Sequence, residues 1–250
     1  MRRHRPPVER VDVLLTERGM AETRAKAQAL VRAGRVFSGE QRVDTVARRL
    51  PADAPLRVGL GPRFVSRGGE KMAGALDALG LATNGMVALD LGASTGGFTD
   101  CLLQRGAARV YAVDVGRGQL DARLRGDPRV VVMERVNARE GFDLPEPMDL
   151  LVADVSFISL HLVLRPALRH LRPGAHLLVL VKPQFEAGKK QVGAGGIVAD
   201  PRIHAQVVGD FCLWAIARGL RVGGVRPSVI EGGSGNQEYF VLLRKAGGAA

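Results

Sequence analysis

Cysteine is nearly missing from this chain of 250 residues: Cys101 and Cys212 are its only two. They lie far apart with no Cys or His at ligand spacing, which excludes a disulfide framework and argues against a zinc site. His4, His161, His170, His176 and His204 are scattered, and none has a neighbour three or four residues on that would build a metal-binding face. All five read as structural or surface residues, and no metal is expected. Long apolar runs are missing too. The longest, around His176–Val181, falls far short of the roughly 18 residues that cross a bilayer. The Arg-studded start offers no apolar stretch for a signal peptide. A soluble, cytoplasmic protein with no membrane role is the expectation. What is present is 46% hydrophobic and 24% charged residues, enough for the packed core of one or two domains and too apolar for a disordered tail.

Lysine is scarce as well, 6 residues among 36 cations, against 30 arginines. The formal net charge is +11, and it is unevenly placed: residues 1–63 hold 14 basic and 7 acidic side chains, leaving 22 and 18 for the rest. A small module with that bias suits a polyphosphate, since each basic group that neutralises a phosphate releases a condensed counterion.

The order of residues sharpens this expectation. Arg10-Val11-Asp12-Val13-Leu14-Leu15 predicts a short helix, and Thr23 is the N-cap candidate of a second one, running through Leu30-Val31 to Gly34. Ala25, Ala29 and Leu30 are expected to face inward, with Arg24, Lys26 and Arg32 solvated. Arg35 to Gly39 follows as an extended piece with a turn at Ser38-Gly39. The rhythm of Arg-x-Asp, Thr-Arg and Gly-x-Val resembles the small RNA-binding domain of ribosomal protein S-four over about the first 60 residues. The resemblance implies contact with structured RNA through phosphates. Arg10, Arg24, Lys26, Arg32 and Arg35 are the candidate contacts, with Arg63 and Arg67 in a basic connector, residues 61–67, that follows the module of residues 1–60.

From residue 68 onward, helical spacing of Met72, Ala75, Leu76 and Leu79 ends at Gly80. Apolar strand runs then alternate with amphipathic stretches: Met86–Leu91, Val110–Val115, Val130–Met133, Leu150–Val155 and His176–Val181, then the strand Tyr239–Leu243. The alternation predicts an α/β fold with a parallel, doubly wound sheet, whose ligand sits beyond the carboxyl ends of the strands. The last strand is expected to pair antiparallel at the sheet edge.

The first of these strands runs into Asp90-Leu91-Gly92-Ala93-Ser94-Thr95-Gly96-Gly97-Phe98, and the second ends in Asp114. Glycines there let the backbone approach a ligand, and the carboxylate can accept both hydroxyls of a ribose. The spacing Gly-x-x-x-Gly-Gly departs from Gly-x-Gly-x-x-Gly and weakens a nicotinamide reading. It is similar to the S-adenosyl-L-methionine site of FtsJ-type ribose methyltransferases. That resemblance implies that Asp90 and the turn from Gly92 to Phe98 hold the cofactor, that Asp114 takes its ribose diol, and that Asn137 borders its adenine.

Four polar residues fall where such a sheet presents its active face: Lys71, Asp154, Lys182 and Glu238. Two of them are lysines in a chain that otherwise prefers arginine. Lysine can be tuned to release its proton, and arginine cannot. The ordered set Lys, Asp, Lys, Glu, with Lys-Pro-Gln-Phe-Glu after the second lysine, is similar to the catalytic tetrad of FtsJ-like enzymes. The whole chain resembles the TlyA family, once called haemolysin A. The resemblance implies a Rossmann-like methyltransferase sheet behind a small α+β RNA-binding domain, and transfer of a methyl group to a ribose 2′-hydroxyl, of cytidine, in ribosomal RNA of one or both ribosomal subunits. Amino methylation is disfavoured because Asp154-Val155-Ser156-Phe157 stands where an Asp/Asn-Pro-Pro-aromatic turn would. Pyrimidine carbon methylation is disfavoured because neither cysteine is placed as a nucleophile. A catalytically silent RNA-binding assembly factor and a membrane-active haemolysin stay open as alternatives.

Overall fold

A computed structural model of the chain describes residues 7–247; His4 lies outside that range. The backbone divides into two compact units, Met1–Arg63 and Phe64–Ala250. The stretch 61–67 is shared between them: Phe64 is buried in the core of the second unit, and Arg67 already opens a helix there.

The first unit contains β1 (Val8–Arg10), α1 (Val11–Glu17), α2 (Arg24–Arg32), β2 (Val36–Ser38), β3 (Gln41–Arg42), β4 (Arg49–Pro51) and β5 (Leu56–Val58). β1 pairs antiparallel with β4, and β2 lies between β3 and β5 in a second antiparallel sheet. Thr23 caps α2, its side chain accepting the Lys26 amide at 3.2 Å. The inward face of α2 is rotated by about half a turn from the expected one. Ala27 and Val31 are buried and Leu30 half-buried, whereas Ala25 and Ala29 are exposed. Alanine is compatible with either side, so only Val31 and its partner four residues earlier fix the phase, packing with Val11, Leu14 and Leu15.

The second unit contains α3 (Arg67–Leu79), β6 (Val87–Leu91), α4 (Gly97–Gln104), β7 (Arg109–Asp114), α5 (Ala122–Arg125), β8 (Val130–Glu134), β9 (Met148–Ala153), α6 (Leu160–Ala167), β10 (Leu171–Val181), α7 (Pro183–Glu186), α8 (Pro201–Ile216), β11 (Leu220–Pro227) and β12 (Tyr239–Lys245). Its seven strands lie in the order β11-β12-β10-β9-β6-β7-β8. β6 to β10 pair in parallel, and β12 runs against both its neighbours. Consecutive residues of the central strands serve opposite faces: Leu89, Leu151 and Leu177 join one core, while Ala88, Leu150 and Leu178 join the other. The chain leaves β6 toward β7 and then returns to β9 on its other side, so a crevice opens at the carboxyl ends of β6 and β9.

Two expectations need correction. β12 is antiparallel but not at the edge, because β11 lies outside it. β11 hides in the sequence: Gly223 and Gly224 interrupt its pattern at a register shift, and only Leu220 is fully buried. β10 begins at Leu171 and runs through Pro173 and Gly174, with its register to β9 shifting before His176.

Candidate active site

The glycine turn is packed closely against its protein neighbours. Gly92 has φ +80°, and a Cβ there would stand 2.6 Å from the Asp154 carbonyl oxygen. Its amide donates to the Val113 carbonyl at 2.9 Å, so the turn is wedged between the ends of β7 and β9. A Cβ on Gly97 would stand 2.3 Å from Ser66 Oγ and 2.8 Å from the Gly69 nitrogen, which locks the start of α4 against the start of α3. Gly96 is turned away from the crevice, against Leu120 and Leu124. The turn thus gathers three strand ends and the helix that carries Lys71.

The crevice has two lobes. One, of about 280 Å³, is walled by Ala93, Thr95, Phe98, Arg67, Lys71 and Lys182. The other, of about 380 Å³, is walled by Asp114, Val115, Gln119, Val136, Asn137 and Ala138. Gly92, Ser94, Asp154 and Ser156 belong to both, so the two lobes form one cleft. The Asp114 carboxylate accepts the Ser94 amide at 2.8 Å and the Gly116 amide at 2.7 Å. That fixes its orientation while leaving lone pairs for further donors. Asn137 is exposed, and its side chain is engaged locally, donating to Glu140 at 2.7 Å and accepting the Arg139 amide at 3.2 Å. The walls beside it that offer apolar contact are Val115, Val136 and Ala138.

Lys182, immediately after β10, extends its ammonium to Asp154 Oδ1 at 2.6 Å and donates to Ser156 Oγ at 3.0 Å. Lys71, in α3, reaches Glu238 Oε2 at 2.5 Å. Glu238 is 2% exposed and Lys182 8%, so both ion pairs are largely withdrawn from water, where charge interactions are stronger. Within the run Lys182-Pro183-Gln184-Phe185-Glu186, the residues after the lysine build local structure, apart from Gln184, whose buried side-chain oxygen has no partner among the described residues. Pro183 starts α7. Phe185 packs its ring 4.9 Å from that of Phe157. Glu186 accepts the Ser159 hydroxyl and the Leu160 amide, both at 2.7 Å, and so caps α6. Burial raises the Glu186 carboxyl above the usual range.

Asp90 does not reach the cleft. It is fully buried, accepts the Thr99 hydroxyl at 2.6 Å through one oxygen, and has no partner for the other. Burial pushes it up to about 7, against the Thr99 bond and with a smaller push from the Asp154 charge. Ser156 and Phe157 are the site residues that sequence reasoning missed. Ser156 lies two residues after Asp154, but only the fold shows its hydroxyl meeting Lys182. Phe157 is 90% exposed with φ +62°, a strained conformation for a bulky residue.

In the first unit the cations are organised by a carboxylate. Asp12 is wholly buried; Arg10 grips it at 3.0 and 3.2 Å, Arg24 at 3.0 Å and Gln28 at 2.8 Å. Arg10 first, with Gln28 and Arg24, holds the Asp12 carboxyl far below the usual range. Lys26 pairs with Glu22, Arg32 donates to Gln28 at 3.5 Å, and Arg35 donates to the Gly59 carbonyl at 3.0 Å. Arg63 is exposed, and Arg67 lines the first lobe of the cleft instead of lying in a free connector. Among the described residues no group of three or more His, Cys, Asp or Glu could hold a metal ion, and no helix is long and apolar enough to cross a membrane.

A seven-stranded sheet with one reversed strand, and a glycine turn at its switch point, defines a Rossmann-like methyltransferase domain. Residues 64–245 match the model of the FtsJ-like methyltransferases and residues 9–54 that of the S4 domain, and the chain belongs to the FtsJ-like methyltransferase family. It is 48% identical over 247 residues to the 16S/23S rRNA (cytidine-2′-O)-methyltransferase TlyA of Mycobacterium tuberculosis, covering 94% of this chain and 89% of that protein. It is 38% identical over 235 residues to Hemolysin A of Brachyspira hyodysenteriae, covering 92% and 98%. A solved structure from Streptococcus thermophilus, designated a hemolysin, superposes with a TM-score of 0.73 at 42% identity, covering 96% of this chain and 89% of that one.

Proposed function

We propose that this chain transfers a methyl group from S-adenosyl-L-methionine to the 2′-hydroxyl of a cytidine in ribosomal RNA, acting in the cytoplasm on ribosomal subunits. The observation that carries the reading is the meeting of Lys71, Asp154 and Lys182 with the glycine turn in one cleft, with Glu238 bonded to Lys71. The cleft fits the cofactor on two grounds. The glycine turn lines both lobes of the cleft through Gly92 and Ser94, and Asp114 offers an oriented carboxylate beside the apolar walls Val115, Val136 and Ala138. The turn from Gly92 to Phe98, Gly96 apart, would then hold the methionine portion, Asp114 the ribose diol, and Asn137 the rim of the adenine lobe. When bound, the cofactor supplies an electrophilic methyl group.

The protein's own residues supply position and a base. Lys71, set by Glu238, holds the ribose hydroxyl. Lys182, oriented by Asp154 at 2.6 Å, takes the hydroxyl proton as the oxygen accepts the methyl group. Holding both reactants in near-attack geometry provides much of the acceleration. The exposed ring of Phe157 offers a stacking surface to the nucleotide's base. Arg10 and Arg24, set by Asp12, together with Lys26, Arg32, Arg35, Arg63 and Arg67, bind the RNA backbone. Lys182→Ala is expected to lower methyl transfer to purified ribosomal subunits by about 10²–10⁴-fold, with S-adenosyl-L-methionine affinity kept in calorimetry. Turnover at the unmodified rate would refute the assignment.

A further inference from the structure

The methyltransferase unit has a second concave surface whose lining shares no residue with the cleft. A groove of about 550 Å³ is lined by Arg139, His161, Leu162, Arg165, Trp214 and Arg218. α6 is the partition: Val163 faces the cleft, whereas His161, Leu162 and Arg165 face the groove. Ala138, in the cleft wall, directly precedes Arg139.

Many arginines of the unit are neutralised at short range: Arg105 by Asp77 at 2.8 Å, Arg129 by Asp127 at 2.7 Å, Arg172 by Asp149 at 2.7 Å and Arg202 by Asp200 at 2.8 Å. Others, such as Arg117 and Arg221, stand singly, whereas the groove gathers three cations around one concave surface. Arg139, Arg165 and Arg218 are exposed, and among the described residues none forms an ion pair with a carboxylate. Arg218 is held in place nonetheless. Its guanidinium lies 4.3 Å over the Trp214 ring and donates to the Trp214 carbonyl at 3.2 Å, and Trp214 stacks on His161 at 4.7 Å and 8°. Burial, and then the charge of Arg218, lower the His161 imidazole below its usual range while Asp210 opposes them. The imidazole therefore favours its neutral form and acts as part of the aromatic stack. No carboxylate among the described residues is bonded to the three guanidinium groups, and Asp210, close enough to act on His161, balances only part of their mutual repulsion; an anionic strand offsets the rest.

We propose that this groove binds the phosphodiester backbone of an RNA strand that continues from the nucleotide held in the cleft. The inference rests on the reading of the substrate as RNA. Guanidinium groups suit phosphate through paired, charge-assisted hydrogen bonds, and single-stranded segments are gripped by such basic grooves with aromatic walls.

The full chain, with S-adenosyl-L-methionine present, is titrated with deproteinised ribosomal RNA and with intact ribosomal subunits over a range of salt. Replacing Arg139, Arg165 and Arg218 together by Gln is expected to weaken binding to the deproteinised RNA at least about tenfold at low salt, and to flatten the slope of log affinity against log salt by about 2. The corresponding Lys variant retains the slope and controls for folding, and cofactor affinity measured by calorimetry stays unchanged. Unaltered affinity and slope in the Gln variant overturn the proposal. A loss seen only with intact subunits also overturns it, since the groove would then meet a ribosomal protein. Methyl transfer by the unmodified chain is scored separately. If the chain binds through the groove yet methylates no ribose, this inference stands and the proposed reaction falls.

Discussion

Each unit of the molecule buries one aspartate completely, and the two fare oppositely. Asp12, in the first unit, is met by two guanidinium groups and an amide and is held far below the ordinary carboxylate range. Asp90, in the second, is met among the described residues by the Thr99 hydroxyl and backbone amide alone and is pushed up to about 7 by burial. Neither carboxylate touches solvent, but Asp12 lies under Arg10 and Arg24, themselves 35% and 56% exposed, whereas desolvation dominates at Asp90, so depth and donors together decide the charge. The first unit uses its carboxylate as a charged hub that orients Arg10 and Arg24. The second keeps a carboxyl close to neutrality beneath the glycine turn, and leaves Asp154 and Glu238 to meet the lysines.

The largest effect that tests this contrast is on pH-dependent stability. An acid whose folded pKa is raised binds a proton more tightly when native, so Asp90 costs progressively more stability as pH rises from about 4 toward 7, with the cost complete above that. Asp12 is depressed; its contribution is fully present above about 4 and is lost only as pH falls through its folded pKa, so it adds no slope near neutrality. Asp90→Asn is therefore expected to gain stability over the unmodified chain between pH 5 and pH 8, by roughly 2–4 kcal/mol of differential effect. Denaturant unfolding at the two pH values reads it. A gap that does not change with pH would break the comparison.

Asp12→Ala is next in size. Removing one partner of a buried pair commonly costs about 3–5 kcal/mol, but Arg10 and Arg24 are 35% and 56% exposed and can turn to water. A loss of about 1–3 kcal/mol follows, confined to the first unit. Amide hydrogen exchange should quicken in α1 and α2 and stay as it was in β6. Loss of protection in β6 would show that the two units unfold together.

The sequence made the second unit far more legible than the first. Central strands buried on both faces, such as Leu177–Val181, write themselves as apolar runs, and Lys71, Asp154, Lys182 and Glu238 stood out because they break apolar or small-residue patterns at strand and helix ends. β11 was hidden because an edge strand with two glycines has neither the apolar run nor the alternation. Ser156 was hidden because a hydroxyl's partner depends on where two separate loops meet. Asp90 looked like a cofactor ligand because it ends an apolar strand beside the turn. Strand alternation instead buries it toward Thr99. In α2 the alanines left the phase undetermined until α1 packed against it.

Thr99→Val should have the smallest effect and separates burial from hydrogen bonding at Asp90. The hydroxyl of Thr99 is itself wholly buried, and its 2.6 Å bond is the one side-chain donation that Asp90 receives among the described residues. Valine keeps the shape and removes the donor. The bond favours the ionised carboxylate, so its removal pushes the Asp90 carboxyl still higher and extends the pH-dependent loss of stability above neutrality. About 1 kcal/mol is expected at pH 8, with less at pH 5, where the carboxyl is already protonated and a neutral bond is worth less than a charged one. In the Asp90→Asn background the same substitution should cost equally at both pH values. A pH-dependent cost there would mean that some other group, and not this carboxyl, carries the titration.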